Sequence, residues 1–214
     1  MIIKFLLKGK SISRALFLKT FQKVLNDFST LFTKAKTILE LGSEQATHQT
    51  LYPKHWNVTH SNLESSNEKI LSIDMEKQFS LESSSYDGVV TFNTLYAIYN
   101  VEQCIAESLR VARLFVAFNI PFITKSTPHP HDYTRMTKER LVRLLEDLKQ
   151  KTLLSNFTII SYGGTGSAIG TLLTPYIPFK IIRIPLLLLL RLIDHFDQFR
   201  KVEAPLGYFV IVQK

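Results

Sequence analysis

Two hydrophobic periods alternate along this chain. Short apolar runs, bounded by polar or turn residues, recur at residues 37–41, 56–60, 69–73, 85–93, 114–120, 156–162 and 208–212, and they predict seven strands. Between them apolar residues return at every third or fourth place. Ile105, Leu109 and Ala112 mark a helix over 101–113, and Leu141, Leu144, Leu145 and Leu148 mark one that Thr137 caps and that runs to Lys149. Pro185 suits the first turn of a helix over 186–199, and residues 43–51 suit a short helix that ends before Pro53. Strands alternating with helices imply an α/β fold, a doubly wound and mostly parallel seven-stranded sheet. Residues 37–41 are expected at its centre, flanked by the strands ending near His60 and Phe92, with the final strand antiparallel. Ahead of the sheet, Phe17, Phe21, Val24, Phe28 and Leu31 recur at helical spacing, with Leu18, Leu25 and Phe32 beside them, and predict one extra N-terminal helix over 13–32. The chain thus reads as a helix in residues 1–35 and one domain in residues 36–214.

Charge changes the picture at the N-terminus. The net charge is +8, and residues 1–36 hold eight lysines and arginines against Asp27 alone, so the remainder is almost neutral. The N-terminal helix is expected to pack across the domain; the second reading is peripheral contact with anionic lipid. Nucleic-acid binding is disfavoured, because the phenylalanines hold buried helical spacing and are not interleaved with the cations on an exposed face. Cys104 is the only cysteine, which excludes a disulfide framework and a cysteine zinc site. It points to a cytoplasmic setting, at the inner face of the membrane if the N-terminal helix meets lipid. The leucines at 186–190 lie between Arg183 and Arg191 and are too few to span a bilayer.

Candidate chemistry collects at strand ends. Glu40-x-Gly42 closes the first strand, Asp74 follows the third and Asn93 the fourth. In an open α/β sheet the ligand lies beyond the carboxyl ends of the strands, where a glycine lets the backbone turn closely past it. His129, His131, Asp132 and Tyr133 lie in the loop before the helix capped by Thr137. A metal at His-x-His-Asp is not expected, since no further ligand cluster accompanies it. Gly164-Thr165-Gly166 follows a strand, but no acid lies about twenty residues onward as a dinucleotide loop requires. That stretch reads as a turn with unusual backbone angles.

These residues resemble class I S-adenosylmethionine-dependent methyltransferases of the type 11 group, over about residues 36–214. Glu40-x-Gly42 is similar to the first motif of that family, and Asp74 to its acid after the third strand. Ser85-Tyr86-Asp87-Gly88-Val89-Val90 is similar to its fourth-strand entry, and Glu107-Ser108-Leu109-Arg110-Val111 to the following helix. Pro128-His129-Pro130-His131-Asp132-Tyr133-Thr134-Arg135-Met136-Thr137 resembles a segment of one branch, and Gly207-Tyr208 its ending. The resemblance implies a Rossmann-like methyltransferase fold, S-adenosyl-L-methionine as cofactor, and a small-molecule or glycan-like acceptor. It places the cofactor at Glu40, Gly42, Asn62, Asp74 and Asn93, and the acceptor near His129, His131 and Tyr133, with His131 as base. The chain departs from the family where Ser43-Glu44-Gln45-Ala46 stands in place of further glycines, and where Asn62 or Ser61 replaces the ribose acid. The alternative is a pseudoenzyme: the same fold without cofactor binding, serving a protein partner as scaffold or regulator.

Overall fold

The computed structural model describes residue 6 and residues 11–43, 48–64, 67–126, 131–151, 153–200 and 204–214. Seven strands form one sheet in the order β3-β2-β1-β4-β5-β7-β6. They are β1 (Thr37–Leu41), β2 (Asn57–Asn62), β3 (Leu71–Ser72), β4 (Tyr86–Thr91), β5 (Ala112–Pro121), β6 (Asn156–Tyr162) and β7 (Gly207–Gln213). The strand β1 pairs in parallel with β2 on one side and β4 on the other. Such a strand has no polar face, which is why Ile38, Leu39 and Leu41 are all fully buried. The last strand runs against its neighbours. Phe122 N–H donates to Leu206 O at one end of β7, and Lys214 N–H to Leu114 O at the other.

The register of β1 on β4 is held by Asp87. Its carboxylate accepts from the N–H groups of Lys36 (2.8 Å) and Thr37 (3.0 Å), and its own N–H donates to Thr37 Oγ1. Burial pushes its carboxyl up, yet the Thr37 and Lys36 hydrogen bonds and the Arg113 guanidinium outweigh it and hold the group below its ordinary value. In the same way Glu107 and Arg110 tie down the loop before β4. Glu107 accepts from Phe79 N–H (2.9 Å), and Arg110 donates to the carbonyls of Leu81 and Phe79.

Among the described residues the α-helices of more than one turn are α1 (Ile12–Asp27), α2 (Ser29–Lys34), α3 (Val101–Val111), α4 (Lys138–Gln150), α5 (Thr165–Leu173) and α6 (Lys180–Arg200). Thr137 caps α4 as expected, accepting from Arg140 N–H at 3.2 Å. Three expectations are corrected. The N-terminal helix is two helices, because Phe28 leaves helical geometry and a new helix starts at Ser29. The third strand is only two residues long, since Lys69 and Ile70 form a turn ahead of it. The helix at Pro185 begins five residues earlier, and the proline stands inside it. A proline there removes one backbone hydrogen bond, and its ring strains the preceding turn. Among the described residues no helix is long and apolar enough to cross a membrane.

The chain forms two compact units. The helical unit comprises Met1–Asp27, Pro121–Thr127 and Ile160–Phe209. In it the apolar side of α1 is buried: Phe17 and Phe21 stack on Phe209 at 6.0 and 5.8 Å, and Tyr162 meets Phe17 edge-on. That packing occupies the residues a lipid contact by the N-terminal helix would need. The sheet unit comprises Phe28–Ile120, Pro128–Ile159 and Val210–Lys214. Its core joins Phe32, Trp56 and Phe115, with ring centroids 5.0–5.9 Å apart. Gly88 makes room for the Phe115 ring, since a Cβ there would lie 2.4 Å from it.

Candidate functional site

The carboxyl end of β1 carries a buried polar cluster. Gly42 takes φ +70, which ends the strand and turns the chain away. Two residues earlier Glu40, 1% exposed, points its carboxylate between two histidines. His48 Nδ1 lies 2.9 Å from Oε1, and His60 Nδ1 lies 3.0 Å from Oε2. The second contact has ion-pair distance without hydrogen-bond alignment, which leaves Oε2 a buried acceptor with no aligned donor. His60 Nε2 lies 3.1 Å from Gln49 Oε1, and the His48 ring meets Phe92 edge-on at 5.5 Å. The pairing follows from the sheet, because the β1–β2 register sets Glu40 beside His60.

The neighbouring strand ends are also polar. Asn62 closes β2 and pairs in register with Ser72; its side-chain N–H donates to Glu64 O. Asp74 follows β3, with Ile73 N–H donating back to Asn62 O at 2.9 Å. Its carboxylate pairs with Lys77 at 2.9 Å and accepts from Glu76 N–H, and the Lys77 ammonium foremost holds it below the ordinary carboxylate value. At the end of β4, Asn93 takes φ +56, a conformation asparagine tolerates. Its N–H donates to Asn119 Oδ1 at 2.8 Å, and Asn119 Nδ2 returns a bond to Asn93 Oδ1. Next to it, Thr94 leans against Gly42: a Cβ on the glycine would lie 2.4 Å from Thr94 Cγ2.

The histidine-tyrosine segment is pinned to the loop after β4. Tyr133 and Thr134 both donate their N–H to Tyr96 O, at 2.8 and 3.0 Å, and Thr134 Oγ1 donates to Ile98 O. His131 stacks on Tyr133 at 4.9 Å, and Tyr133 meets Tyr99 edge-on at 5.9 Å. All three rings are exposed. Asp132 and Arg135 pair beneath them, with the guanidinium 5.6 Å from the centre of the Tyr96 ring. A cleft of about 280 Å³ opens here, lined among others by Tyr99, Glu102, Tyr133, Arg135 and Arg140. Glu102 and Arg140 form an exposed ion pair in its wall. His129 and Glu44 lie outside the described residues, and no metal-holding cluster occurs among the described ones.

The glycine stretch after β6 is filled by the chain itself. Gly163 takes φ +79, and α5 then begins at Thr165. Thr165 N–H donates to Asp197 Oδ2 at 2.7 Å and Ser167 N–H to Asp194 Oδ1 at 2.8 Å, while Ser167 Oγ donates to Asp194 Oδ2. Two carboxylates from α6 therefore hold the helix N-terminus where a phosphate would otherwise bind. Sequence reasoning placed Glu40, Asp74 and Asn93 at strand ends but passed over His48, His60, Asn119 and these aspartates. The signal for the last was two acids three residues apart in a leucine-rich helix.

A seven-stranded sheet in this order, with a final antiparallel strand, is the class I methyltransferase fold. Solved structures bear that out. A SAM-dependent methyltransferase from Archaeoglobus fulgidus superposes with TM-score 0.58 at 14% identity, covering 92% of this chain and 94% of its own. The methyltransferase domain of bacterial CtHen1 gives 0.56 at 10% identity, over 93% and 100% of the two chains. An S-adenosylmethionine-dependent methyltransferase from Mesorhizobium loti gives 0.52 at 12%, over 83% and 90%. No protein-family model matches the chain, and no curated protein sequence does.

Proposed function

We propose that the chain is an S-adenosyl-L-methionine-dependent methyltransferase acting on a small-molecule or glycan-like acceptor. The observation that carries this reading is the double hydrogen bond from Tyr133 and Thr134 to Tyr96 O, which fixes three exposed aromatic rings close to the strand end bearing Asn93. The residues present suit the cofactor. Asp74 and Asn62, joined through the Ile73–Asn62 bond, offer a carboxylate and an amide to the adenine amino group and the ribose hydroxyls. Glu40 Oε2 is a buried acceptor without an aligned donor, which an ammonium group suits. Gly42 supplies the turn, and Asn93 lines the same edge of the sheet.

When bound, the cofactor supplies a methyl group on a sulfonium, already a strong electrophile, so the protein's work is chiefly alignment and exclusion of water. The flat faces of Tyr133 and Tyr99 suit the apolar face of a sugar or another ring. His131 receives the proton of an acceptor hydroxyl as the new bond forms. His129, in the same segment, is the second candidate for that role.

A second reading is favoured by the histidines. With His48 on one oxygen of Glu40 and His60 near the other, the first-motif acid has internal partners, as in a scaffold or regulatory protein that has given up the cofactor. Titration calorimetry with S-adenosylmethionine separates the two. The enzyme reading expects binding that weakens about tenfold in Asp74→Ala, the worth of one charge-assisted hydrogen bond. No heat with wild type at millimolar cofactor leaves only the scaffold reading.

A further inference from the structure

A second surface of the molecule is unexplained by methyl transfer. From α5 through α6 the helical unit exposes Leu172, Leu173, Tyr176, Phe179, Ile181, Ile182, and beyond them Leu189, Leu192, Ile193 and Phe196. Tyr176 is 82% exposed, Ile181 83%, and Leu189 and Phe196 62% each. Singly exposed apolar residues are ordinary; a run of this length on adjoining elements marks a contact surface. Along α6 the exposed positions 182, 185, 189, 192, 193 and 196 keep the spacing of one helix face. The other side of the helix faces the protein: Leu187 is buried, Leu190 O lies against Gly166, and Asp194 and Asp197 cap α5.

Charge identifies the occupant. The helical unit contains twelve lysines and arginines against four carboxylates, a net +8, whereas the sheet unit contains fourteen of each. The whole net charge of the protein therefore belongs to the unit that bears the apolar face. Of its four carboxylates, Asp194 and Asp197 are turned inward onto backbone N–H groups, Asp194 also faces Arg191 at 3.9 Å, and Asp27 pairs with Lys23. Apolar side chains on a cationic body, with Asp194 and Asp197 withdrawn, are complementary to an anionic interface and repel a second copy of the same surface. The helix α6 carries Arg183 and, among the described residues, is not long and apolar enough to cross a bilayer, so it suits the headgroup boundary. We propose that the α5–α6 face of the helical unit binds the surface of an anionic lipid bilayer. This contact is independent of the cofactor site.

The test is co-sedimentation of the full chain with vesicles of phosphatidylcholine alone or with about 30% phosphatidylglycerol. Partitioning is expected to be about tenfold stronger on the anionic vesicles and to fall severalfold between about 0.1 and 0.5 M salt. The double substitution Leu189→Asp/Phe196→Asp, at exposed positions, should remove about tenfold or more of it at an unchanged melting temperature. A double variant that is folded and binds like wild type overturns the assignment to this face. Equal binding to both vesicle types overturns the anionic partner. Absent vesicle binding, whether the chain is monomeric or forms a dimer that the double variant abolishes, overturns lipid as the occupant.

Discussion

The two units treat charge in opposite ways. In the sheet unit cations and carboxylates are equal in number and matched locally: Asp87 with Arg113, Glu107 with Arg110, Asp132 with Arg135, Glu102 with Arg140. In the helical unit the two carboxylates of α6 face backbone N–H groups, and the cations outnumber the acids threefold. The sheet unit therefore carries no net charge, and at its matched pairs a ligand must compete with a partner already in place. Charge is left over only in the helical unit. This separates two kinds of site, one in which binding displaces internal partners and one in which it meets an unbalanced surface.

The largest effect should come from breaking the close approach of α5 to α6. A Cβ on Gly166 would lie 1.7 Å from Leu190 O, a backbone atom that cannot step aside without moving the helix. Gly166→Ala should cost about 3 kcal/mol or more and lower the melting temperature by about 10 °C. At Gly170 the nearest atom is the Leu187 side-chain tip at 2.6 Å, which can shift, so Gly170→Ala should cost much less. Equal losses in the two variants would show that the helix pair is not held by its backbone contact.

Next in size is the buried cluster of the sheet unit. Glu40→Ala removes the common partner of His48 and His60 from a fully buried place and should cost about 3 kcal/mol in denaturant unfolding. Asp74→Ala, which removes an exposed pair with Lys77 and an exposed hydrogen bond from Glu76 N–H, should stay within about 1 kcal/mol. A Glu40 variant as stable as wild type would mean that the histidines do not depend on it.

Acid should then distinguish the matched carboxylates from the rest. Asp87 and Glu107 both titrate below their ordinary values of 3.8 and 4.5 in the folded protein. Each is driven up by burial but pulled down further, Asp87 by the Thr37 and Lys36 hydrogen bonds and Arg113, Glu107 by Arg110 and Phe79 N–H. A depressed folded value means that the stabilisation is complete above the unfolded value and is lost as pH falls through the folded one. Melting temperature should hold down to about pH 5 and decline below it. Asp87→Asn should start lower and decline less steeply, and a parallel curve would remove Asp87 from the acid transition.

Much of the sheet was legible because residues 37–41, 86–91, 112–121 and 207–213 are buried enough to read as nearly continuous apolar runs. The third strand was overestimated, since an edge strand of two residues leaves almost no pattern. Helical spacing runs unbroken through Phe28, so periodicity alone could not show that the backbone changes direction there. Pro185 looked like a beginning because proline suits a first turn; its place inside α6 depends on packing that sequence does not display. At the candidate site, strand ends could be located but not their partners. Glu40 finds His60 twenty residues on through sheet register, Asn93 finds Asn119 across β4 and β5, and Ser167 finds Asp194 on another helix. Each pairing joins residues whose types are commonplace and whose separation is set by topology.

The smallest expected effect sharpens the contrast within the sheet unit itself. Arg110 and Arg140 are both arginines paired with a glutamate, but their surroundings differ. Arg110, 25% exposed at its side chain, also holds the carbonyls of Phe79 and Leu81, so truncating it removes that donor from both carbonyls and leaves Glu107 with Phe79 N–H. Arg140 and Glu102 are 57% and 50% exposed, and water can replace either partner. Arg140→Ala should therefore change stability by no more than about 0.5 kcal/mol, whereas Arg110→Ala should cost about 2 kcal/mol in the same denaturant titration. Because Arg140 also lines the cleft beside Tyr133, its side chain is available to a ligand at almost no cost to the fold. If Arg140→Ala destabilised the protein as much as Arg110→Ala, the cleft wall would be part of the structural framework and not a surface open to an acceptor.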